Sequence, residues 1–216
     1  MLRRSFSLLL AFTFASLAIA APEKWTTAID KFTNADQTNP PPRDAVVFVG
    51  SSSIVKWASL AQDFPALKVI NRGFGGSELA DSVFYADRIV IPYRPRAVVL
   101  YAGDNDLKAG KTPETVFADF KAFVAKVHAA LPRTRIVYIA VKPSPSRWSI
   151  KEQGEKTNAL IASECGKDRR LRFVDIWEPM LNAKGEPRPE LFVKDMLHMN
   201  EAGYRIWTPL VAAALK

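Results

Sequence analysis

Cysteine, histidine and long apolar runs are all scarce in this chain, and each shortage removes a class of explanation. A single cysteine in 216 residues rules out an internal disulfide. No histidine or acid beside Cys165 in sequence would activate its thiol, so it reads as a packed helix residue. Two histidines, His128 and His198, cannot build a histidine-rich metal site. Beyond residue 20 no stretch is long and apolar enough to span a bilayer. An aromatic-interleaved or one-faced basic stripe is missing too, which argues against a nucleic-acid partner. The densest basic run, KDRRLR at 167–172, lies between a helical and a strand-like segment and reads as a solvated turn. There are no internal repeats or low-complexity tracts.

The one long apolar stretch stands at the start. Arg3 and Arg4 precede SLLLAFTFASLAIA, which ends in the small-x-small pattern Ala18-Ile19-Ala20. Residues 1–20 therefore read as a secretory signal peptide cut after Ala20, with export to a periplasmic or secreted location and no stable membrane insertion after cleavage. The uninterrupted run is shorter than the ~20 residues a retained spanning helix needs. Residues 21–216 suffice for one domain with a sizeable core and are too few for two ordinary ones. Hydrophobic residues at 48% and charged residues at 24% fit a soluble globular enzyme or binding domain. Setting Arg3 and Arg4 aside leaves 28 basic against 22 acidic residues, spread along the chain, which supports only a weak attraction to anionic polymers.

Five short apolar runs punctuate the rest: AVVFVG (45–50), LKVINRG (67–73), RAVVLYAG (96–103), RIVYIAV (135–141) and LRFVDI (171–176). They are rich in β-branched residues and nearly continuous in apolar character, as parallel strands covered on both faces are. Helical spacing fills the gaps, most clearly in 112–132. There Thr112 can cap, Pro113 suits the first turn, and Val116, Phe120, Phe123, Val124 and Val127 share a stripe. Further helices are predicted near 23–33, 77–90, 150–164 and 201–215. Strands alternating with helices imply an α/β fold: an open parallel sheet with right-handed crossovers and helices on both faces. The Pro-rich TNPPPRD (38–44) leads into the first strand.

Ligands of such sheets bind beyond the carboxyl ends of the strands, so the residues that follow each strand carry the functional argument. After the first strand, VGSSSIVKW (49–57) places three hydroxyls behind Gly50, and a serine there can present its Oγ and its own N–H to a bound carbonyl. Serine clusters also cap helices and form turns. After the second strand, NRGFGGSELADS (71–82) holds three of the ten glycines, which let backbone N–H groups approach a ligand, with Ser77 or Glu78 available to cap the next helix. The spacing is not the dinucleotide fingerprint. After the third strand comes GDNDL (103–107). Asn105 can donate an amide hydrogen bond, and Asp104 with Asp106 would suit a cation, but the longer ligand series of a calcium loop is absent. Near the C-terminus, DMLHMNEAGY (195–204) sets Asp195 three residues before His198, close enough for the carboxylate to hold Nδ1–H and leave Nε2 free as a base. Such a pair also occurs as a plain surface hydrogen bond. His128 has no such partner and reads as structural. Together these pieces supply a nucleophile, amide donors and a base, the parts acyl transfer needs.

With those residues in hand, the chain resembles the SGNH hydrolases, also called GDSL-type esterases and lipases, in block order over roughly the whole mature length. FVGSSSIVKW, NRGFGG, GDND and DMLH stand in for the family's blocks, and HMNEAGY continues its style. The resemblance implies a flavodoxin-like, three-layer α/β/α sandwich around a five-stranded parallel sheet, working without cofactor or metal. It implies Ser52 as nucleophile with Asp195 and His198, and Ser52, Gly76 and Asn105 as oxyanion donors. One departure is that Ser51 stands where the family has an aspartate. The implied activity is hydrolysis of carboxylic esters through a serine acyl-enzyme, and the expected partner is a small-molecule, glycan or lipid ester: a short acyl ester, an acetylated carbohydrate or a lysophospholipid. VKPSPSRW (141–148) should border the site, where Arg147 and Trp148 can recognise a sugar, an anionic headgroup or an acyl chain; a stiff loop with Trp148 packed inside is equally compatible. An O-acyltransferase using the same triad, and a non-catalytic periplasmic glycan- or lipid-binding domain, are the rival readings.

Overall fold

A computed structural model describes residues 23–216, so the expected signal peptide lies outside the described residues. Five strands, β1 (Val46–Gly50), β2 (Val69–Gly73), β3 (Ala97–Tyr101), β4 (Arg135–Ile139) and β5 (Leu171–Val174), form one sheet in the order β2-β1-β3-β4-β5. Every pairing is parallel. The expected α/β sandwich is what is found. The ladders are shorter than the apolar runs: β3 and β4 stop at Tyr101 and Ile139, while Ala102, Ala140 and Val141 stay buried beyond them.

Alternation along each strand divides the core in two. Val47, Val49, Val98, Leu100, Ile136 and Tyr138 face a layer made by α1 (Glu23–Thr38), α4 (Leu79–Ile89), α6 (Pro113–Ala130) and α7 (Lys151–Cys165). Val46, Phe48, Val99, Val137 and Ile139 face α8 (Glu201–Ala214) and the short helices α2 (Ser52–Val55) and α3 (Leu60–Asp63). Trp57 fills this second layer, buried among Phe48, Phe64, Tyr204 and Trp207. It is a core residue.

The local signals explain the helices. Thr112 Oγ1 accepts the Thr115 N–H (3.2 Å) and Pro113 opens α6, which buries Val116, Phe120, Phe123 and Val127 on its inner face and leaves Val124 at the margin. Full burial of such side chains stabilises by about 1.5–3 kcal/mol each. Glu78 rather than Ser77 caps α4, in a capping box with Asp81. Helix α1 runs past residue 33 to Thr38 and ends where Asn39 precedes Pro40, a position that disfavours helical backbone. Cys165 closes α7 with its thiol buried, and that burial pushes its pKa up to about 12, so it stays a protonated packing group.

The sheet order reverses direction between β1 and β3, since β2 lies on one side of β1 and β3 on the other. At such a switch point the two loops diverge and open a crevice. Gly50 makes the β1 exit possible. It has φ +132°, and a Cβ built on it would lie 1.9 Å from the Tyr101 carbonyl oxygen. Gly50→Ala combines a forbidden backbone conformation with a backbone overlap, so we expect a loss of at least about 3 kcal/mol in urea unfolding, or failure to fold. Wild-type stability in that variant would show that the turn is not constrained as described.

Candidate active site

The β1 exit is pinned on both sides. Ser51 N–H donates to the Tyr101 carbonyl (3.0 Å) and Phe74 N–H to the Gly50 carbonyl (2.8 Å), so the chain must turn immediately into α2. Asn71 locks that helix from β2: its Nδ2 donates to the Ile54 carbonyl (2.7 Å) and its Oδ1 accepts Gly73 N–H (2.9 Å). Among the three consecutive serines, Ser51 and Ser53 are buried, at 0% and 1% exposure. Ser52 is half-buried and reaches outward. Ser51 holds the N-cap position of α2, yet its hydroxyl makes no capping bond.

His198 arrives from the opposite end of the chain. Its Nε2 is 3.0 Å from Ser52 Oγ, across 146 residues of sequence, and its Nδ1 is 2.6 Å from Asp195 Oδ2. Asp195 Oδ1 also accepts the N–H groups of Leu197 and His198, each at 2.9 Å. Partial burial pushes the Asp195 carboxyl up, but the His198 ring and these two amides outweigh it and hold the group well below the usual carboxylate range. An ionised Asp195 fixes the imidazole with a proton on Nδ1, so Nε2 faces the serine as an acceptor.

The loop bearing this pair is held by residues that sequence reasoning passed over. Asn200 caps α8 by accepting from Ala202 N–H (2.9 Å) and Gly203 N–H (3.3 Å), while its Nδ2 donates to the carbonyls of Glu190 and Phe192. Tyr204 donates from its hydroxyl to the Ser53 carbonyl (2.8 Å), tying α8 to the serine helix. An asparagine just ahead of Glu-Ala-Gly is an N-cap signal and was available in the sequence. The Tyr204 contact was not.

Asn105 sits on α5 (Asp104–Lys108), directly after β3, and its Nδ2 donates to the Ser77 carbonyl (3.0 Å), joining the third loop to the second. A primary amide has two N–H groups, so one donor is left. Ser52 N–H, at the start of α2, has no helical acceptor. Gly75 and Gly76 N–H find no acceptor among the described residues. Gly75 backs onto Ser52, with a built Cβ 3.9 Å from Ser52 Cβ, while Gly76 adopts φ +77° beside Trp25. Asp106 accepts the Leu79 N–H at 3.1 Å and meets Lys111 at 3.2 Å, which secures the loop that ends in α4.

Asp104 and Asp106 do not form a cation site. Each is met by a lysine, and among the described residues no group of three acidic, histidine or cysteine side chains is placed to hold a metal. Asp104 is engaged by Lys142, which the sequence reading had also passed over. Lys142 Nζ donates to Asp104 Oδ2 (2.9 Å) and to Tyr101 Oη (3.0 Å), with the two charged side chains 1% and 5% exposed. Asp104 Oδ1 accepts the Asn105 N–H (3.0 Å). Burial pushes the Asp104 carboxyl up, but the Lys142 ammonium pulls harder and leaves it below its ordinary value. Arg147 and Trp148 lie in the loop after β4, joined to the His198 loop by Ser146 N–H donating to the Met196 carbonyl (3.1 Å). Trp148 stacks on Trp177 at 6.1 Å, with Lys151 over its ring. His128 lies apart from the site, its Nε2 3.0 Å from the Thr134 carbonyl and its pKa lowered by burial.

A family profile described as GDSL-like lipase/acylhydrolase matches residues 37–206. No curated protein sequence matches. Similar solved structures include a GDSL-like lipase from Bacteroides thetaiotaomicron, with TM-score 0.72 and 22% identity over 87% of this chain and 96% of that one. A carbohydrate esterase family 3 protein from Talaromyces cellulolyticus has TM-score 0.66 and 16% identity over 79% and 96%. A mutant of an acetyl-xylooligosaccharide esterase from Geobacillus Stearmophilus has TM-score 0.64 and 15% identity over 81% and 95%.

Removing one member of a buried ion pair strands the other charge, at a cost of about 3–5 kcal/mol, whereas replacing both members is far milder. Lys142→Met should therefore lower unfolding free energy by about that amount, and adding Asp104→Asn should restore much of it. Chemical denaturation of the three proteins decides the matter; equal stability of the single and double variants would contradict the pairing.

Proposed function

The chain belongs to the GDSL-like lipase/acylhydrolase family, and from that premise we propose that it is a serine esterase that cleaves carboxylic esters through an acyl-enzyme. The observation carrying this reading is the hydrogen-bonded line from Ser52 Oγ through the His198 ring to Asp195. Ser52 Oγ attacks the ester carbonyl and passes its proton to His198 Nε2, while Asp195 steadies the imidazolium. The tetrahedral oxyanion receives hydrogen bonds from the Ser52 and Gly76 amides and the second Nδ2 hydrogen of Asn105. Collapse expels the alcohol, which takes the proton from His198. Water then gives a proton to the same nitrogen and attacks the acyl carbon; the acyl–Oγ bond breaks, Ser52 Oγ takes the proton back from His198, and the acid leaves.

Short acyl groups, acetyl groups on carbohydrates among them, are the favoured substrates. The fold is shared with a carbohydrate esterase and an acetyl-xylooligosaccharide esterase, and among the described residues no separate lid domain covers the half-buried Ser52. Residues 1–20 act as an export signal in this reading, which places the enzyme in a periplasmic or secreted setting.

Ser52→Ala should abolish both p-nitrophenyl acetate hydrolysis and labelling by a serine-directed phosphonate in folded protein. Asn105→Ala should reduce kcat by about 100- to 1000-fold with little change in KM, because its bond forms to the oxyanion. Full turnover by the Ser52 variant would overturn the reading.

A further inference from the structure

The chain leaving β3 is gripped from β4. Tyr138 Oη donates to the Ala102 carbonyl (2.7 Å), and a little further on Lys142 Nζ donates to Asp104 Oδ2 (2.9 Å). Between them Gly103 packs so closely that a built Cβ would lie 3.0 Å from Val141 Cγ2. Asn105 comes next, on a helix of five residues, too short to be stable by itself. Gly103 holds the N-cap position of that helix and has no side chain to cap it. The Asn105 N–H is taken instead by Asp104 Oδ1 (3.0 Å). A carboxylate that serves a neighbouring N–H with one oxygen rotates freely unless the other oxygen is held, and Lys142 holds it.

The Lys142 side chain is 1% exposed and that of Asp104 5%. Burial this deep keeps the ammonium away from any substrate, so it acts through its partners and not on the reacting carbonyl. What an ion pair supplies, and an apolar contact of equal volume does not, is direction: charge-assisted hydrogen bonds are short and oriented. The second Lys142 bond, to Tyr101 Oη (3.0 Å), aims the ammonium from the residue whose carbonyl receives Ser51 N–H. The turn bearing the nucleophile and the turn bearing Asn105 therefore share one reference point.

We propose that Lys142 is a positioning residue for the esterase reaction: through Asp104 it fixes the placement of α5 and thereby aims the Asn105 amide at the oxyanion. The Ser77 carbonyl takes one Nδ2 hydrogen of Asn105, and the direction of the other depends on where α5 stands. The kinetic consequence rests on the esterase reading; the ordering of the Asn105 segment does not.

Lys142→Met with Asp104→Asn removes both charges together, strands neither, and keeps an amide oxygen at position 104 for the Asn105 N–H. With p-nitrophenyl acetate this double variant should lose about 10- to 100-fold in kcat, with KM within about twofold of wild type, as a displacement of about 1 Å would produce. A role in packing alone would lower stability and leave kcat of the folded protein unchanged. In an Asn105→Ala background the same two substitutions should cost less than about threefold more, because the group they misplace is already gone. A folded double variant with kcat within about threefold of wild type, a loss confined to KM, or losses that multiply with Asn105→Ala would each overturn the role.

Hydrogen–deuterium exchange needs no turnover and is measured on the same proteins. Residues 103–108 should exchange at least about tenfold faster in the double variant while 46–50 stay protected; unchanged exchange at 103–108 contradicts the ordering role. If the wild-type protein neither turns over ester nor takes the phosphonate, yet the variant exchanges faster, the esterase reading falls and the ordering role stands. Should the double variant fail to fold by circular dichroism, Lys142→Gln, which keeps a donor facing Asp104 but no charge, is scored by the same criteria.

Discussion

Everything in this molecule hangs on how closely β1 and β3 approach at their carboxyl ends. The Tyr101 carbonyl accepts Ser51 N–H and leaves no room for a side chain at residue 50, which forces the sharp exit that puts Ser52 at the head of α2. From the same strand end, Asp104 and Asn105 follow within four residues of Tyr101. One backbone contact thus sets the spacing between the hydroxyl and the asparagine amide, before any side chain is chosen. The remaining member, His198, is brought in by α8, whose Tyr204 grips the Ser53 carbonyl and whose cap, Asn200, stiffens the approach.

The polar interior around this point is poorly explained by stability. Burying Lys142 and Asp104 takes two ions out of water, and well-packed apolar residues of similar volume would serve the fold at least as well. What the pair does is geometric. It ties the end of β4 to Tyr101 and, through Asp104, to the Asn105 backbone N–H, so the loops after β3 and β4 are joined by side-chain bonds.

Much of this was legible in the residues. Parallel strands covered on both faces are apolar throughout, so all five stood out, and the rule that ligands sit beyond their carboxyl ends led to the serines, the glycines and Asn105. The strands were read about two residues too long at β3 and β4 because hydropathy reports burial, and Ala102, Ala140 and Val141 are buried without pairing. Helices α2, α3 and α5, of four or five residues, are too short to show a period. Lys142 was hidden for a different reason. A lysine at the end of an apolar run reads as a solvated terminus, and only the adjacency of β3 and β4 brings Asp104, 38 positions away, to meet it. Arg147 and Trp148 stood out as candidates, but the stacking of Trp148 on Trp177 is a property of packing and leaves no trace in the sequence.

The central claim is that Ser52 becomes covalently acylated during turnover. Rapid acid quenching of the enzyme with p-nitrophenyl acetate, followed by intact-mass measurement and peptide mapping, addresses it directly. The account requires about one acetyl group per molecule, on the peptide containing Ser52, appearing with a burst of p-nitrophenol. Steady turnover with no adduct, or an acetyl group confined to another residue, would contradict it.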